Sequence, residues 1–121
     1  MPVFTLHKIE EIRGKILFYK LMKNDICLFD DFENQIISEA TYTTELDRIQ
    51  SIMEQVSELK SLPSNKFKNI TRKKDVIKTY EIKTKNLRVY LFKDDIGKII
   101  VLGGKKTDQN KDITLFRTLI I

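Results

Sequence analysis

Between Val76 and Leu102 the chain reads as short apolar segments divided by polar turns, and this pattern constrains the fold most. Val76 to Thr84 is the first segment, Leu87 to Lys93 the second and Lys98 to Leu102 the third. In the second, Leu87, Val89 and Leu91 alternate with Arg88, Tyr90 and Phe92, the two-residue period of a pleated strand. Lys85-Asn86 and Asp94-Asp95-Ile96-Gly97 supply the turns, which predicts a three-stranded antiparallel meander. Gly103-Gly104 is expected to break its last strand.

A helix is predicted upstream, over residues 44–60. Leu46, Ile49, Ile52, Met53, Val56 and Leu59 recur at spacings of three and four and make one apolar face. Glu45, Arg48, Gln50, Glu54, Ser57 and Glu58 fill the remainder. Thr43 or Thr44 can cap its start, and Pro63 is expected to end it. Residues 3–8 read as a strand, and 15–22 fit a strand or a helix equally. Asn24-Asp25 reads as a turn, and the acids from Asp30 onward can open a short helix. Asp108 or Asp112 can start a terminal helix with Ile113, Phe116 and Leu119/Ile120 inward. The expectation is one α+β domain over residues 1–121. A small antiparallel sheet packs on one or two helices (41–121), preceded by a strand-containing extension (1–40).

Charge is distributed unevenly. Residues 1–59 carry six Lys/Arg against eleven Asp/Glu, whereas residues 60–90 carry ten against two. Such asymmetry points to a polyanionic partner or to a lysine-rich solvated surface. The run Lys66-Phe67-Lys68-Asn69-Ile70-Thr71-Arg72-Lys73-Lys74 is the densest part and is too polar to be core. Cys27 has apolar neighbours and reads as a buried thiol, with no second cysteine to pair with. The one histidine, His7, reads as a surface or hydrogen-bonded residue rather than a ligand, and no zinc-type ligand spacing occurs. No leader-like segment or apolar run of membrane-spanning length is read, so a cytoplasmic location away from membranes is expected. Gly103-Gly104-Lys105-Lys106-Thr107 lacks the first glycine of a phosphate-binding loop at the required spacing.

Lys83, Arg88 and Tyr90 are placed so that one sheet face can carry cations and an aromatic ring together, as an RNA-binding surface does. The run YEIKTKNLRVYLFKDDIGKIIVLGGKKTDQNKDI resembles the sheet core of the RelE/ParE toxin superfamily, closest to its HigB-type, phage-derived branch. The likeness lies in an aromatic–acid–apolar–basic strand, an arginine strand, a glycine turn before an apolar strand, and a Lys-Lys-Thr element leading into a last helix. It spans residues 44–113 in order, and the first 40 residues have no counterpart.

That resemblance implies the toxin of a type II toxin–antitoxin pair, cutting mRNA, often on the ribosome, without metal or cofactor. The ribose 2′-OH attacks the adjacent phosphate, which requires a base, cations for the phosphorane and an acid for the leaving 5′ oxygen. By position, the resemblance assigns Lys83, Arg88, Lys105 and Lys106 to catalysis, with Arg88 on the scissile phosphate. Tyr90 becomes a stacking candidate, and Lys66, Lys68, Arg72, Lys73, Lys74 and Lys111 become RNA contacts. mRNA, the ribosome and a cognate antitoxin are the implied partners. The chain departs from the family in having no Tyr or His after Tyr90, and in carrying Glu81 where some members have a second lysine. A catalytically silent RNA- or protein-binding domain, as in a mobile-element accessory protein or a gyrase-directed relative, is the alternative. At the level of single residues, Arg88 can instead pair with Glu81, Lys105-Lys106 can be a solvated turn, and Tyr80 and Tyr90 can be core-edge residues rather than base platforms.

Overall fold

A computed structural model describes residues 2–120. The elements in chain order are β1 (Phe4–Lys8), β2 (Phe18–Lys23), α1 (Leu28–Glu39), α2 (Thr43–Ser57), β3 (Phe67–Asn69), β4 (Thr79–Lys83), β5 (Leu87–Asp94), β6 (Gly97–Lys105) and α3 (Gln109–Ile120). The class is α+β, as the sequence predicts. The strands form one six-stranded sheet in the order β1-β2-β6-β5-β4-β3. The predicted meander is β4-β5-β6, antiparallel throughout. The sheet as a whole is mixed, because β2 lies parallel to β6. Residues 1–40, read from the sequence as an extension, therefore supply two strands of the sheet and helix α1, and Ile12, Phe18, Phe29, Phe32 and Ile36 of the core.

Both faces of the sheet are covered. Ile82, Leu87, Val89, Leu91 and Ile100 pack against Phe29, Phe32 and Ile36 of α1 and Ile49, Ile52, Met53 and Val56 of α2. On the other face Tyr90, Val101 and Leu102 pack with Phe116 of α3. Residues 87–91 of β5 are therefore buried on both sides, and the alternation in that strand sorts residues between two cores rather than between core and water.

Several boundaries differ from expectation, each for a local reason. Helix α2 ends at Ser57, before Pro63, because Leu59 turns into the left-handed region at φ 65°. Its N-cap is Tyr42, and neither threonine caps it with a side-chain bond. The acids from Asp30 belong to a twelve-residue helix that starts at Leu28. The basic run contains β3, whose Phe67 packs against the core and stacks on Tyr80 with ring centroids 5.1 Å apart. Gly103 and Gly104 do not break β6 but lie within it. A Cβ on Gly103 would come within 2.5 Å of the Phe32 ring, and one on Gly104 within 1.9 Å of the Asp112 carboxylate. The two glycines let helices approach both faces of the strand. Cys27 is buried as expected, and burial pushes its thiol upward. His7 lies exposed on β1.

Candidate nucleic-acid interface

Strand register gathers the basic residues singled out from the sequence at one end of the sheet. Lys83 on β4 lies opposite Arg88 on β5, and Arg88 lies opposite Gly104 on β6. Leu87 pairs with Lys105, and the Lys106 amide donates to the Asn86 carbonyl at 2.8 Å. Neighbouring strands lie about 4.8 Å apart, so Lys83, Arg88, Lys105 and Lys106 fall within two strand spacings.

The β4–β5 turn that separates Lys83 from Arg88 is held from beneath by Glu45 of α2. Its Oε1 accepts hydrogen bonds from the Thr84 hydroxyl and, at 2.8 Å, from the Asn86 amide. Its Oε2 accepts from Asn86 Nδ2 at 2.8 Å. Glu45 is only 5% exposed. Burial alone raises a carboxyl's pKa, but these hydrogen bonds outweigh it and hold Glu45 below the ordinary glutamate range. The sequence reading placed Glu45 on the polar face of the helix. The available signal was its position four residues before Ile49, which puts it in line with the apolar stripe.

The predicted catalytic residues differ in how free they are. Arg88 is buried, and its Nη1 donates to the carbonyls of Thr84 and Leu87, while Nε has no partner among the described residues. It does not pair with Glu81, whose Oε2 instead accepts from Gln109 Nε2 at 2.7 Å. Lys105 Nζ lies 2.7 Å from Glu39 Oε1 at the end of α1. That hydrogen bond raises the Lys105 pKa and lowers that of Glu39, so the pair holds Lys105 protonated and argues against a role as base. Lys106 is exposed, in the 3₁₀ turn Lys106–Asp108, and Lys83 is half-buried. Neither forms an ion pair among the described residues.

Tyr90 does not fit the stacking role, because it is fully buried beneath α3 with its ring 5.8 Å from that of Phe116. Its hydroxyl has no partner among the described residues. Burial first, then the nearby Glu81 and Asp112 carboxylates, drives its pKa far upward. It supports the sheet from inside and cannot meet a base.

The predicted RNA contacts are divided between the β3 edge of the sheet and the start of α3. Lys66 and Lys68 lie exposed at the edge strand β3, and Lys73 and Lys74 are exposed in the loop after it. Arg72 is engaged locally: its guanidinium meets Asp75 at 3.0 Å, and Asp75 also takes Arg117 of α3 at 3.2 Å. This cluster pins the loop to the helix, which limits Arg72 as a phosphate contact. Lys111 is exposed at the start of α3 and lines a cleft of about 230 Å³ with Lys105, Asp108 and Asp112. Arg48 and Lys85, not singled out from the sequence, lie beside Lys66 and Lys83 in a separate groove.

Searches against protein-family models, curated proteins and solved structures found no match.

Proposed function

We propose that this chain is the toxin of a type II toxin–antitoxin pair, an mRNA endoribonuclease that acts through ribose 2′-OH attack on the adjacent phosphate. The observation that carries the reading is the gathering of Lys83, Arg88, Lys105 and Lys106 at one end of the sheet, Lys83 and Arg88 on one face and Lys105 on the other, around a turn fixed by a buried carboxylate. Preorganised cations at developing phosphorane charge are what the reaction needs most. Arg88 is only 6% exposed, with its Nε buried and its Nη1 anchored to main chain, so it lends its charge to the site from within the turn rather than by gripping the phosphate. Lys83 is the candidate to take the 2′ proton. Lys106, exposed in the turn that follows β6, is the candidate to protonate the leaving 5′ oxygen. Lys105, tied to Glu39, orders that turn against α1. The bond from oxygen 2′ to phosphorus forms as the bond to oxygen 5′ breaks, leaving a cyclic phosphate and a 5′-hydroxyl end. The reading carries with it a cytoplasmic location, the ribosome as a platform and an antitoxin partner. No helix among the described residues is long and apolar enough to cross a membrane.

The second reading is a silent RNA-binding domain on the same scaffold. The burial of Tyr90 and the engagement of Lys105 favour it.

Inducible expression in a bacterial host separates the two. Wild type is compared with a Lys83→Ala, Lys106→Ala variant, neither of which disturbs a described ion pair. Growth is followed and mRNA 5′ ends are mapped. Growth arrest with new 5′-hydroxyl ends that vanish in the variant supports catalysis. Normal growth and intact mRNA from folded wild-type protein overturn it.

A further inference from the structure

A groove of about 380 Å³ opens between α2, the start of β3 and the β4–β5 turn. Arg48, Lys66, Lys83 and Lys85 line it, and no acidic side chain does. Four other cavities among the described residues each contain at least one carboxylate. Three of the four cations come from the basic middle of the chain; Arg48 comes from the acidic first half and is turned to the same space by the helix. Arg48, Lys66 and Lys85 make no ion pair among the described residues. The like charges of Arg48, Lys66 and Lys85 around one concavity repel each other, and the arrangement is relieved by an anion.

The walls are fixed in place. The Lys83 amide donates to the Lys66 carbonyl at 2.8 Å, which sets β3 beside β4. Glu45 holds Thr84 and Asn86, on either side of Lys85. Neutral hydrogen-bonding groups accompany the cations: Ser51 and Gln55 from the same face of α2, and Asn65 from the loop before β3. An amide offers both a donor and acceptors, the pairing that the edge of a nucleobase requires. The volume exceeds what a lone carboxylate or phosphate fills and is of the size that takes a small organic ligand. The groove also adjoins the candidate site, since Lys83 lines it and lies opposite Arg88, about one strand spacing away.

We propose that this groove is a nucleotide subsite for single-stranded RNA. It binds the phosphate of a nucleotide next to the cleaved bond through Arg48, Lys66 and Lys85, and reads the base through Gln55 and Asn65. The proposal rests on the ribonuclease reading for its place beside the cleaved bond, and its binding chemistry can be tested apart from cleavage.

The probe is a fluorescein-labelled 2′-O-methyl RNA dodecamer, which cannot be cut because its 2′ oxygen is blocked. Its anisotropy is titrated with the full chain from about 50 to about 300 mM NaCl. The groove variant is Arg48→Gln, Lys66→Gln, Lys85→Gln, all three exposed positions. The control variant removes an equal charge at Lys8, Lys15 and Lys23, exposed positions outside the groove lining. The groove variant is expected to bind about tenfold or more weakly, with a log–log salt slope reduced by about 0.7, since each phosphate neutralised on a single strand contributes about that much. The control is expected to change neither by more than about twofold. Equal weakening in both variants, unchanged binding in the groove variant, no binding by wild type, or displacement by polyglutamate as readily as by RNA overturns the subsite. A Gln55→Ala, Asn65→Ala variant is expected to flatten the affinity differences among single-base oligomers while keeping the salt slope; an unchanged ranking overturns the base-reading part. Groove-dependent binding with intact mRNA in cells overturns the nuclease reading and leaves the subsite standing. Cleavage with normal binding by the groove variant does the reverse.

Discussion

Removing the carboxylate of Glu45 is the perturbation that most directly tests how the site is held. Its oxygens accept three hydrogen bonds from the β4–β5 turn, two of them at 2.8 Å. Hydrogen bonds to a charged group contribute about 1.5–3 kcal/mol each, and a buried donor left without a partner costs about 1–3 kcal/mol. In Glu45→Ala the Asn86 amide and the Thr84 hydroxyl lose their acceptor together, so a loss of about 3–4 kcal/mol is expected, a large part of an ordinary domain's stability. Glu45→Gln keeps one oxygen but sets its amide nitrogen against Asn86 Nδ2; flipping the Asn86 amide relieves this, and about 1–2 kcal/mol is expected.

The pH dependence separates the charge from the packing. The folded pKa of Glu45 lies below its unfolded value, so near the unfolded pKa the unfolded chain binds more protons than the folded one. Its contribution is present in full above the unfolded value and is lost as pH falls through the folded one. Urea unfolding of wild type and Glu45→Gln from about pH 7 down to about pH 3 reads this directly: the gap between the two proteins must narrow on acidification. A constant gap, or a Glu45→Ala loss under about 0.5 kcal/mol, refutes the account of the turn. Since Arg88 Nη1 is anchored to carbonyls of the same turn, Glu45→Gln is also expected to weaken RNA binding with its exposed cations untouched.

Gly103→Ala is expected to cost about 1–3 kcal/mol in urea unfolding, because the buried Phe32 ring must shift. Gly104→Ala meets only the end of the Asp112 side chain and is expected to cost less; the reverse order sinks the packing argument. Tyr90→Phe removes a buried hydroxyl without a partner and is expected to leave stability unchanged or raise it by about 1 kcal/mol, while leaving any RNA cleavage intact. Burial, then Asp108, raises the Asp112 carboxyl above the ordinary aspartate range, so the folded state binds more protons there and stability falls as pH rises from the unfolded value through the folded one. Asp112→Asn is therefore expected to raise the Tm at neutral pH and to remove that fall, measured by thermal unfolding between about pH 4 and about pH 7. Arg117→Ala is expected to speed amide exchange over residues 70–75, since it releases both Asp75 and the Ile70 carbonyl.

Most of the secondary structure was legible because it is written in local periods. The two-residue alternation of Leu87–Lys93 and the three-to-four spacing of Ile49, Ile52, Met53 and Val56 each sort side chains by face with no knowledge of the rest of the chain. The parallel β2–β6 pairing was not legible. It joins Phe18 to Lys98 across the whole chain, and nothing near either residue specifies the other. The glycines misled for a related reason: locally a Gly-Gly pair reads as a break, and only the approach of Phe32 and Asp112 from opposite faces shows why β6 needs them.

The site divides along the same line. Its cations could be named from the sequence because four of them lie within twenty-four residues on strands joined by short turns, so their convergence follows from the meander itself. What governs each of them is long-range. Lys105 meets Glu39 across 66 residues, and the turn below Arg88 meets Glu45 across 41. Both acids come from the half of the chain with excess negative charge, and both act on the half with excess positive charge. The charge asymmetry is therefore more than a surface property. Its acidic side supplies the two carboxylates that restrain one end of the basic sheet, while Lys83, Lys106 and the groove lysines are left unpaired by them. A polyanion arriving at that end meets cations already held apart, so little of the ordering has to happen on binding.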